Sequence, residues 1–350
     1  MKTRLISLLL ALALLLCGCG LEAPPVSTQA TGSVEGGLTV DFIDVGQADC
    51  ALLECGGEYM LIDGGNRDDS SLVVSYLEQQ GVEELAAVVC THPHEDHAGG
   101  LPGVLAVYPT ERILCPTRTY ASACFDDFMY YADQQGLEVE IPSPGDTFSL
   151  SGAVVTVLGP VKSYADTNNT SIVLKVQYGD VAFLFTGDME TEAENDLLDY
   201  WEGTQTSVQA DVLKVGHHGS STSTGYRLIY EVSPDYAVIS VGADNSYGHP
   251  HEASLSRLNQ AGTTIFRTDE LGTIRAVTDG TELRFEWANS SADPENAEST
   301  EDIRFIGNVN SHKFHSSTCA NLPLEKNQIL FHSYQEAIAA GYTPCGSCLG

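Results

Sequence analysis

The sequence predicts an α/β protein, α+β in its detail, with two sheets covered by helices and a small second unit behind them. Three observations predict this. Between residues 37 and 288, short β-rich runs alternate with helical segments in two successive halves. Strands outnumber helices along that stretch, which suits two sheets with helical cover. A polar, apolar-poor stretch, NSSADPENAESTE (289–301), then separates a compact segment from 302 to 350 and reads as a linker. The chain has 350 residues, 43% of them hydrophobic, so it can bury a sizeable core and disorder is not the expectation.

In chain order, Lys2 and Arg4 precede an apolar run over residues 5–16, short for a membrane span and of secretory length. It leads into Leu16-Cys17-Gly18-Cys19, which resembles a bacterial lipobox. That resemblance implies a signal peptide over 1–19, lipidation of Cys19, and an extracytoplasmic protein anchored to the cell membrane. Residues 20–36, rich in Pro, Ser, Thr and Gly, read as a flexible tether. LTVDFIDV (38–45), CALLEC (50–55) and EYMLID (58–63) are predicted strands with glycine turns, and SSLVVSYLEQQG (70–81) is a helix with a glycine stop. LAAVVCT (85–91) is a buried strand, followed by strands ERILCP (111–116) and LEVEIP (137–142) flanking a helix over 125–136. GAVVTVLGP (152–160) is a strand, and SIVLKVQYGDVAFLFTGD (171–188) a hairpin turning at Gly179-Asp180. A helix (189–201), strands at 210–218 and 236–242, a helix (252–262), strand TIFRTD (264–269) and a last hairpin (273–287) complete the domain.

Charge and cysteines narrow the function. Sixteen basic residues face 48 acidic ones, a net of −32, which repels a polyanion unless bound cations or a local basic surface intervene. Cys50, Cys55, Cys90, Cys115 and Cys124 are an odd set in the main domain, which argues against a full disulfide framework.

The histidines of the main domain fall in three clusters, each directly after a predicted strand: His92, His94 and His97; His217 and His218; His249 and His251. Residues at one carboxyl edge of a sheet converge although distant in sequence. Asp63 and Asp188 also end strands and sit beside glycines. In an extended turn His92 and His94 point the same way and can share one metal, while Asp96 and His97 reach a second position about 3.5–4 Å away. Asp188 can bridge the two, and paired ions activate water at neutral pH. Imidazole with carboxylate suits Zn²⁺, with Mn²⁺ or Fe²⁺ as alternatives, in one site or two.

His92-Pro93-His94-Glu95-Asp96-His97 matches the HxHxDH signature, and the constellation resembles the metallo-β-lactamase superfamily over residues 38–288. The resemblance implies a four-layer αββα sandwich, with His92 and His94 as ligands of site one, Asp96 and His97 of site two, and Asp188 as bridge. His249 best matches the last histidine ligand. The superfamily's further histidine between residues 97 and 188 is missing, and Asn168 or Asn169 stands near its place. FIDVGQAD (42–49), LKVGHHGSSTS (213–223) and ISVGADNSYGHPH (239–251) closely resemble the hydrolase domain of the ComEC family of competence DNA-uptake proteins. That likeness implies degradation of DNA. His217 or His218 is then a ligand or the general acid for the leaving oxygen, with His218 preferred, and Asp96 counts among the catalytic groups as well as the ligands. Ser220 and Ser221 read as helix caps.

The tail carries His315-x3-Cys319 and Cys345-x2-Cys348, two pairs able to surround one tetrahedral ion. It resembles the zinc-binding domain of the Ada DNA-repair family, with His315 in place of a cysteine; His312 is the weaker candidate. Lys326, Phe314 and Phe331 are candidate nucleic-acid contacts, Phe331 more simply core. Together these readings predict an exported metal-dependent phosphodiesterase or nuclease with DNA or a nucleotide-containing substrate as partner. The alternatives are a small-molecule ester, amide or lactone hydrolase, and a non-catalytic surface DNA-binding lipoprotein.

Overall fold

A computed structural model of the chain describes residues 37–294, 305–317 and 319–349. The signal segment, Cys19, the tether and part of the 289–301 linker lie outside the described residues. No helix among those described is long and apolar enough to cross a membrane.

The first sheet begins with β1 (Leu38–Phe42), β2 (Ala51–Cys55), β3 (Glu58–Ile62), β4 (Ala87–Val89) and β5 (Ile113–Leu114). The second holds β6 (Thr147–Leu150), β7 (Ala153–Gly159), β8 (Val173–Tyr178), β9 (Val181–Phe185), β10 (Val212–Lys214), β11 (Tyr236–Ile239) and β12 (Thr264–Arg267). The chain then returns to the first sheet as the hairpin β13 (Ile274–Thr278) and β14 (Leu283–Trp287). Each sheet has seven strands, in the orders β14-β13-β1-β2-β3-β4-β5 and β12-β11-β10-β9-β8-β7-β6. The returning hairpin pairs β13 with β1, Val40 opposite Ala276, which completes the first sheet with residues from the far end of the sandwich domain.

The apolar strand runs explain the layers. Phe42, Leu53, Met60 and Ile62 from the first sheet meet Val155, Leu174, Val176 and Phe183 from the second in one buried core. The opposite faces bury Leu61, Val88 and Leu52 under α1 (Ser70–Gln79), α2 (Glu95–Ala98), α3 (Leu101–Val107) and α4 (Ala123–Gln134). Leu184 and Leu213 lie beneath α5 (Thr191–Trp201) and α6 (Tyr226–Val232), and Ile239 and Ile265 beneath α7 (Glu252–Gln260). The order helix, sheet, sheet, helix is the expected αββα sandwich.

Details differ from the sequence reading. LEVEIP forms only a single bridge, Leu114 to Glu140, because its apolar residues are too few to bury a strand on both faces. The edge strand β6 and the short helix α6 were not anticipated. Ser220 and Ser221 do not cap α6, whose N-cap is Gly225. Residues after β14 stay on the body: Trp287 Nε1 donates to Ala292 O at 2.9 Å, and Asn289 Nδ2 to Glu270 O at 2.7 Å.

The tail forms its own four-stranded sheet with the order β17-β15-β16-β18. The short helix α8 (Thr268–Leu271) belongs to the sandwich, between β12 and β13, whereas the tail's elements are β15 (Phe305–Asn308), β16 (Lys313–His315), β17 (Gln328–Phe331), α9 (Tyr334–Ala339) and β18 (Thr343–Pro344). Phe305, Phe314, Phe331 and Tyr334 form its core. Phe314 and Phe331 are therefore spoken for by packing and present no face to a nucleic acid, correcting the expectation for Phe314. Tyr226 and Tyr230 of α6 pack onto this core, with Tyr230 5.2 Å from Tyr334 and Tyr226 5.5 Å from Phe305 between ring centroids.

Candidate metal centre

β3, β4, β9, β10 and β11 all deliver their carboxyl ends to one edge of the sandwich, since β3 runs parallel to β4 and β9 to β11 run parallel to one another. Asp63 follows β3, the THPHEDH turn follows β4, Asp188 follows β9, and His217 and His218 follow β10. Two glycine pairs let the loops cross closely. A Cβ on Gly100 would lie 1.9 Å from Gly64 O, so the AGG after the histidine turn has to be glycine where it passes LIDGG.

Local backbone strain aims the donors. Asp63, His217 and His218 have φ of 58°, 49° and 52°, left-handed values that cost such residues about 1–3 kcal/mol each and cluster at functional sites. Asp63 uses that turn to accept from Thr91 N and Thr91 Oγ1, both at 2.7 Å, and from His97 Nδ1 at 2.8 Å. His97 Nδ1 is thereby committed, and its Nε2 faces Asp188 Oδ1 at 3.2 Å. His218 Nδ1 donates to Ser240 O at 3.0 Å and lies 3.2 Å from Asp49 Oδ1, which turns its Nε2 towards Asp96 Oδ2 at 3.3 Å. Lys214, inside β10, pairs with Asp49 at 2.9 Å with both side chains buried.

Donor atoms of Asp96, His97, Asp188 and His218 all lie within 4.8 Å of one another. His97 Nε2, Asp188 Oδ1 and His218 Nε2 are buried and make no hydrogen bond. Buried polar atoms are almost always paired. Three orphans converging beside two carboxylates fit a divalent cation, whose bonds would satisfy all of them. His92 Nε2 and His94 Nδ1 lie 3.0 Å apart, and His92 Nε2 is 3.8 Å from Asp188 Oδ2, so a second donor group adjoins the first through Asp188. Asn168, lining the same cleft, has a buried Oδ1 without a partner, whereas Asn169 Oδ1 accepts from Glu190 N.

His249 is not among the four converging donors. Its Nδ1 lies 3.3 Å from Gln47 Nε2, and its ring stands 6.4 Å from that of His218. His218, preferred from sequence over His217 as ligand or leaving-group acid, supplies the fourth donor atom. The left-handed turn separates the adjacent rings: His217 remains a quarter exposed, with Nδ1 3.3 Å from Glu190 Oε1 and Nε2 3.8 Å from Asp188 Oδ2. Glu95 is exposed and accepts from Arg67 N. Sequence reasoning missed Asp49, Lys214, Gln47 and Glu190. A lysine inside an apolar strand and an aspartate in FIDVGQAD were the available signals.

Electrostatics divide the histidines. Burial, followed by repulsion from His97, holds His92 well below its ordinary value and favours its neutral ring. Burial also opposes charge on His97 and His218, yet the Asp188 carboxylate, with Asp63 beside His97 and Asp49 beside His218, pushes both upwards, His218 to about 10. Burial and the neighbouring His217 and His218 bring His249 down to about 4. The cleft over these groups has a volume of about 600 Å³ and is bordered by Gln47, Asn66, Tyr120, Ser122 and Tyr247.

In the tail, His315, Cys319, Cys345 and Cys348 also bring four donors within 4.8 Å of one another, and the three cysteines are free thiols. His312 instead stacks on Tyr342, 4.9 Å between centroids.

The sandwich with its histidine–aspartate edge defines a class of metal-binding hydrolases. Residues 43–243 match the model of the Metallo-beta-lactamase superfamily, and the chain belongs to that superfamily. It is similar to ComE operon protein 3 of Bacillus subtilis (strain 168), 31% identical over 255 residues, covering 67% of this chain and 32% of that protein. It is also similar to Recombination protein 2 of Haemophilus influenzae, 31% identical over 244 residues, covering 67% of this chain and 28% of that protein. The chain thus spans about a third of the length of these relatives. Among solved structures, the metallo-beta-lactamase fold protein YhfI from Bacillus subtilis aligns over 66% of this chain and 96% of its own, at 13% identity and a TM-score of 0.45.

Proposed function

We propose that the chain is an exported, lipid-anchored metal-dependent phosphodiesterase that hydrolyses DNA or a nucleotide-containing substrate. The observation that carries the reading is the convergence of Asp96, His97, Asp188 and His218, three of their atoms unpaired, at the floor of an open cleft. The resemblance to the competence DNA-uptake family supports DNA as the substrate class.

Asp96, His97, His218 and Asp188 would hold one divalent ion, Zn²⁺ or Mn²⁺. His92, His94 and Asp188, with Asn168 Oδ1 nearby, would hold a second and weaker one. A cation there supplies Lewis-acid activation of water and neutralises phosphate charge. Asp63 and Asp49 fix the ring orientation and tautomer of His97 and His218. His217, outside the donor cluster and backed by Glu190, presents Nε2 to the cleft and gives a proton to the leaving oxygen. His249, a neutral ring at the cleft wall, positions substrate. His315, Cys319, Cys345 and Cys348 would hold a structural Zn²⁺ that orders the tail.

Phosphodiester cleavage by the purified protein, assayed with single- and double-stranded DNA and with a β-lactam under Zn²⁺ or Mn²⁺, tests this. DNA cleavage abolished by Asp188→Ala is expected. Hydrolysis of the β-lactam alone, or of nothing by folded, metal-loaded protein, rejects the reading.

A further inference from the structure

The border of the cleft includes no lysine or arginine among the described residues, in a chain of net charge −32. Proteins that hold nucleic acid by its backbone ordinarily line the path with basic side chains. Attraction for phosphate would here come from the cations that the donors on the cleft floor would hold, which leaves the rest of the substrate to be gripped by something other than charge.

The cleft offers an aromatic face for that purpose. Tyr247 is 68% exposed and stacks on His249, with centroids 5.6 Å apart and an interplanar angle of 23°. One side of its ring is thus backed by His249 and the other is open. The loop that presents it is pinned by Asn245. The Asn245 Oδ1 accepts from Tyr247 N at 3.1 Å and His249 N at 3.0 Å, and its Nδ2 donates to Gly242 O at 3.0 Å and His249 O at 2.6 Å. Tyr120 also borders the cleft, but it packs edge-on against His94 and Phe125 and serves as wall. Only two ring-to-ring steps, 5.6 and 6.4 Å, separate Tyr247 from His218. A base on Tyr247 therefore belongs to a nucleotide adjoining the phosphate held over the donor cluster.

We propose that Tyr247 is a specificity-determining platform on which a nucleobase of the substrate stacks, and that the site takes single-stranded nucleic acid. Stacking is tolerant of base identity because each base has a π-face. In a duplex those faces are already covered by neighbouring bases, and extruding one carries an unstacking cost. This proposal rests on the phosphodiesterase reading.

The test compares an oligothymidylate with an abasic strand of equal length and charge, using the full protein with Mn²⁺. Wild type should cleave the oligothymidylate more efficiently than both the abasic strand and a duplex of the same length. In Tyr247→Ala, kcat/KM on the oligothymidylate should fall about 5- to 150-fold, mainly through KM, the range expected for one base–aromatic stack. The preference for base-bearing over abasic strand should collapse with it, and Tyr247→Phe should restore both. An equal loss on the two strands, no loss on either, or a wild-type preference for duplex overturns the proposal. Binding of the two strands is followed in parallel by fluorescence anisotropy. Tighter binding of the base-bearing strand, lost in Tyr247→Ala, supports the platform even if no cation yields cleavage, an outcome that rejects the phosphodiesterase reading alone. Equal affinity for both strands overturns it.

Discussion

Replacing Lys214 with methionine should destabilise the protein far more than a change of similar volume at the surface. The ammonium lies 2.9 Å from Asp49 Oδ2, and the two side chains are 5% and 7% exposed. At an effective dielectric of ~20, a pair at that distance attracts by roughly 6 kcal/mol. Asp49 keeps its contact with His218 Nδ1 at 3.2 Å, which offsets part of the loss. Stranding one member of a buried pair costs about 3–5 kcal/mol, so Tm should fall by about 6–20 °C for a domain of this size. Lys214→Met together with Asp49→Leu removes both charges and should recover most of that stability. It should not recover full activity, since the His218 ring then keeps Ser240 O but loses the Asp49 carboxylate beside its Nδ1. Differential scanning calorimetry and urea unfolding, both in chelator, read stability apart from cation binding. Acidification provides a check. Despite its burial, Asp49 is held below its ordinary value, by Lys214 first and then His218. Its contribution is present above about pH 4 and is lost as pH falls through the lower folded value. The gap between wild type and Lys214→Met should therefore be full near pH 7 and shrink in acid. A single variant within about 1 kcal/mol of wild type at pH 7 would refute the argument.

Other outcomes follow from the same groups. Asp63→Ala frees His97 Nδ1 and should weaken cation affinity about 10- to 100-fold, read by competition with a chromogenic chelator; unchanged affinity would remove Asp63 from its orienting role. Cys319→Ser should lower zinc content by one ion per chain, by elemental analysis, while leaving the ions at the sandwich edge in place. Glu194, buried beneath the start of α6, is raised to about 7 by burial, against the hydrogen bonds from Gly225 N and Thr224 N. Because its folded value exceeds the unfolded 4.5, its contribution is full below about pH 4.5 and is lost as pH rises through 7. The stability of Glu194→Gln relative to wild type should thus improve by about 2–3 kcal/mol between pH 5 and pH 8. A flat difference in urea unfolding would show that the two amides and Arg257 hold the carboxylate at its ordinary value.

The layer order was legible because each sandwich strand is an apolar run bounded by glycine, and because histidines after three such runs had to share one edge. The HxHxDH turn and Asp188 likewise announced themselves by position. What spacing could not tell was which later histidine turns inwards. His217 and His218 are neighbours, and a left-handed pair of residues sends one ring to the donor cluster and the other to Glu190. His249 follows its strand just as His218 does, but the loop pinned by Asn245 carries it to the wall. The α6 helix went unseen because it has seven residues, too few for a clear period, and it buries one side under the body and another under the tail. Asp49 and Lys214 are polar groups in apolar surroundings, and only the fold shows that each is the other's counter-charge.

The converging donors are divided between the sheets: Asp96 and His97 come from the first, Asp188 and His218 from the second. Neither sheet alone supplies this set, so capture of a cation at the sandwich edge would require that the two sheets have closed on each other. A cation held there would act as a latch between the two sheets, the first of which is itself completed by β13 and β14 only after the second has been made. A nascent or proteolytically split chain would leave the ion free, and the hydrolytic centre is silent until the whole sandwich exists.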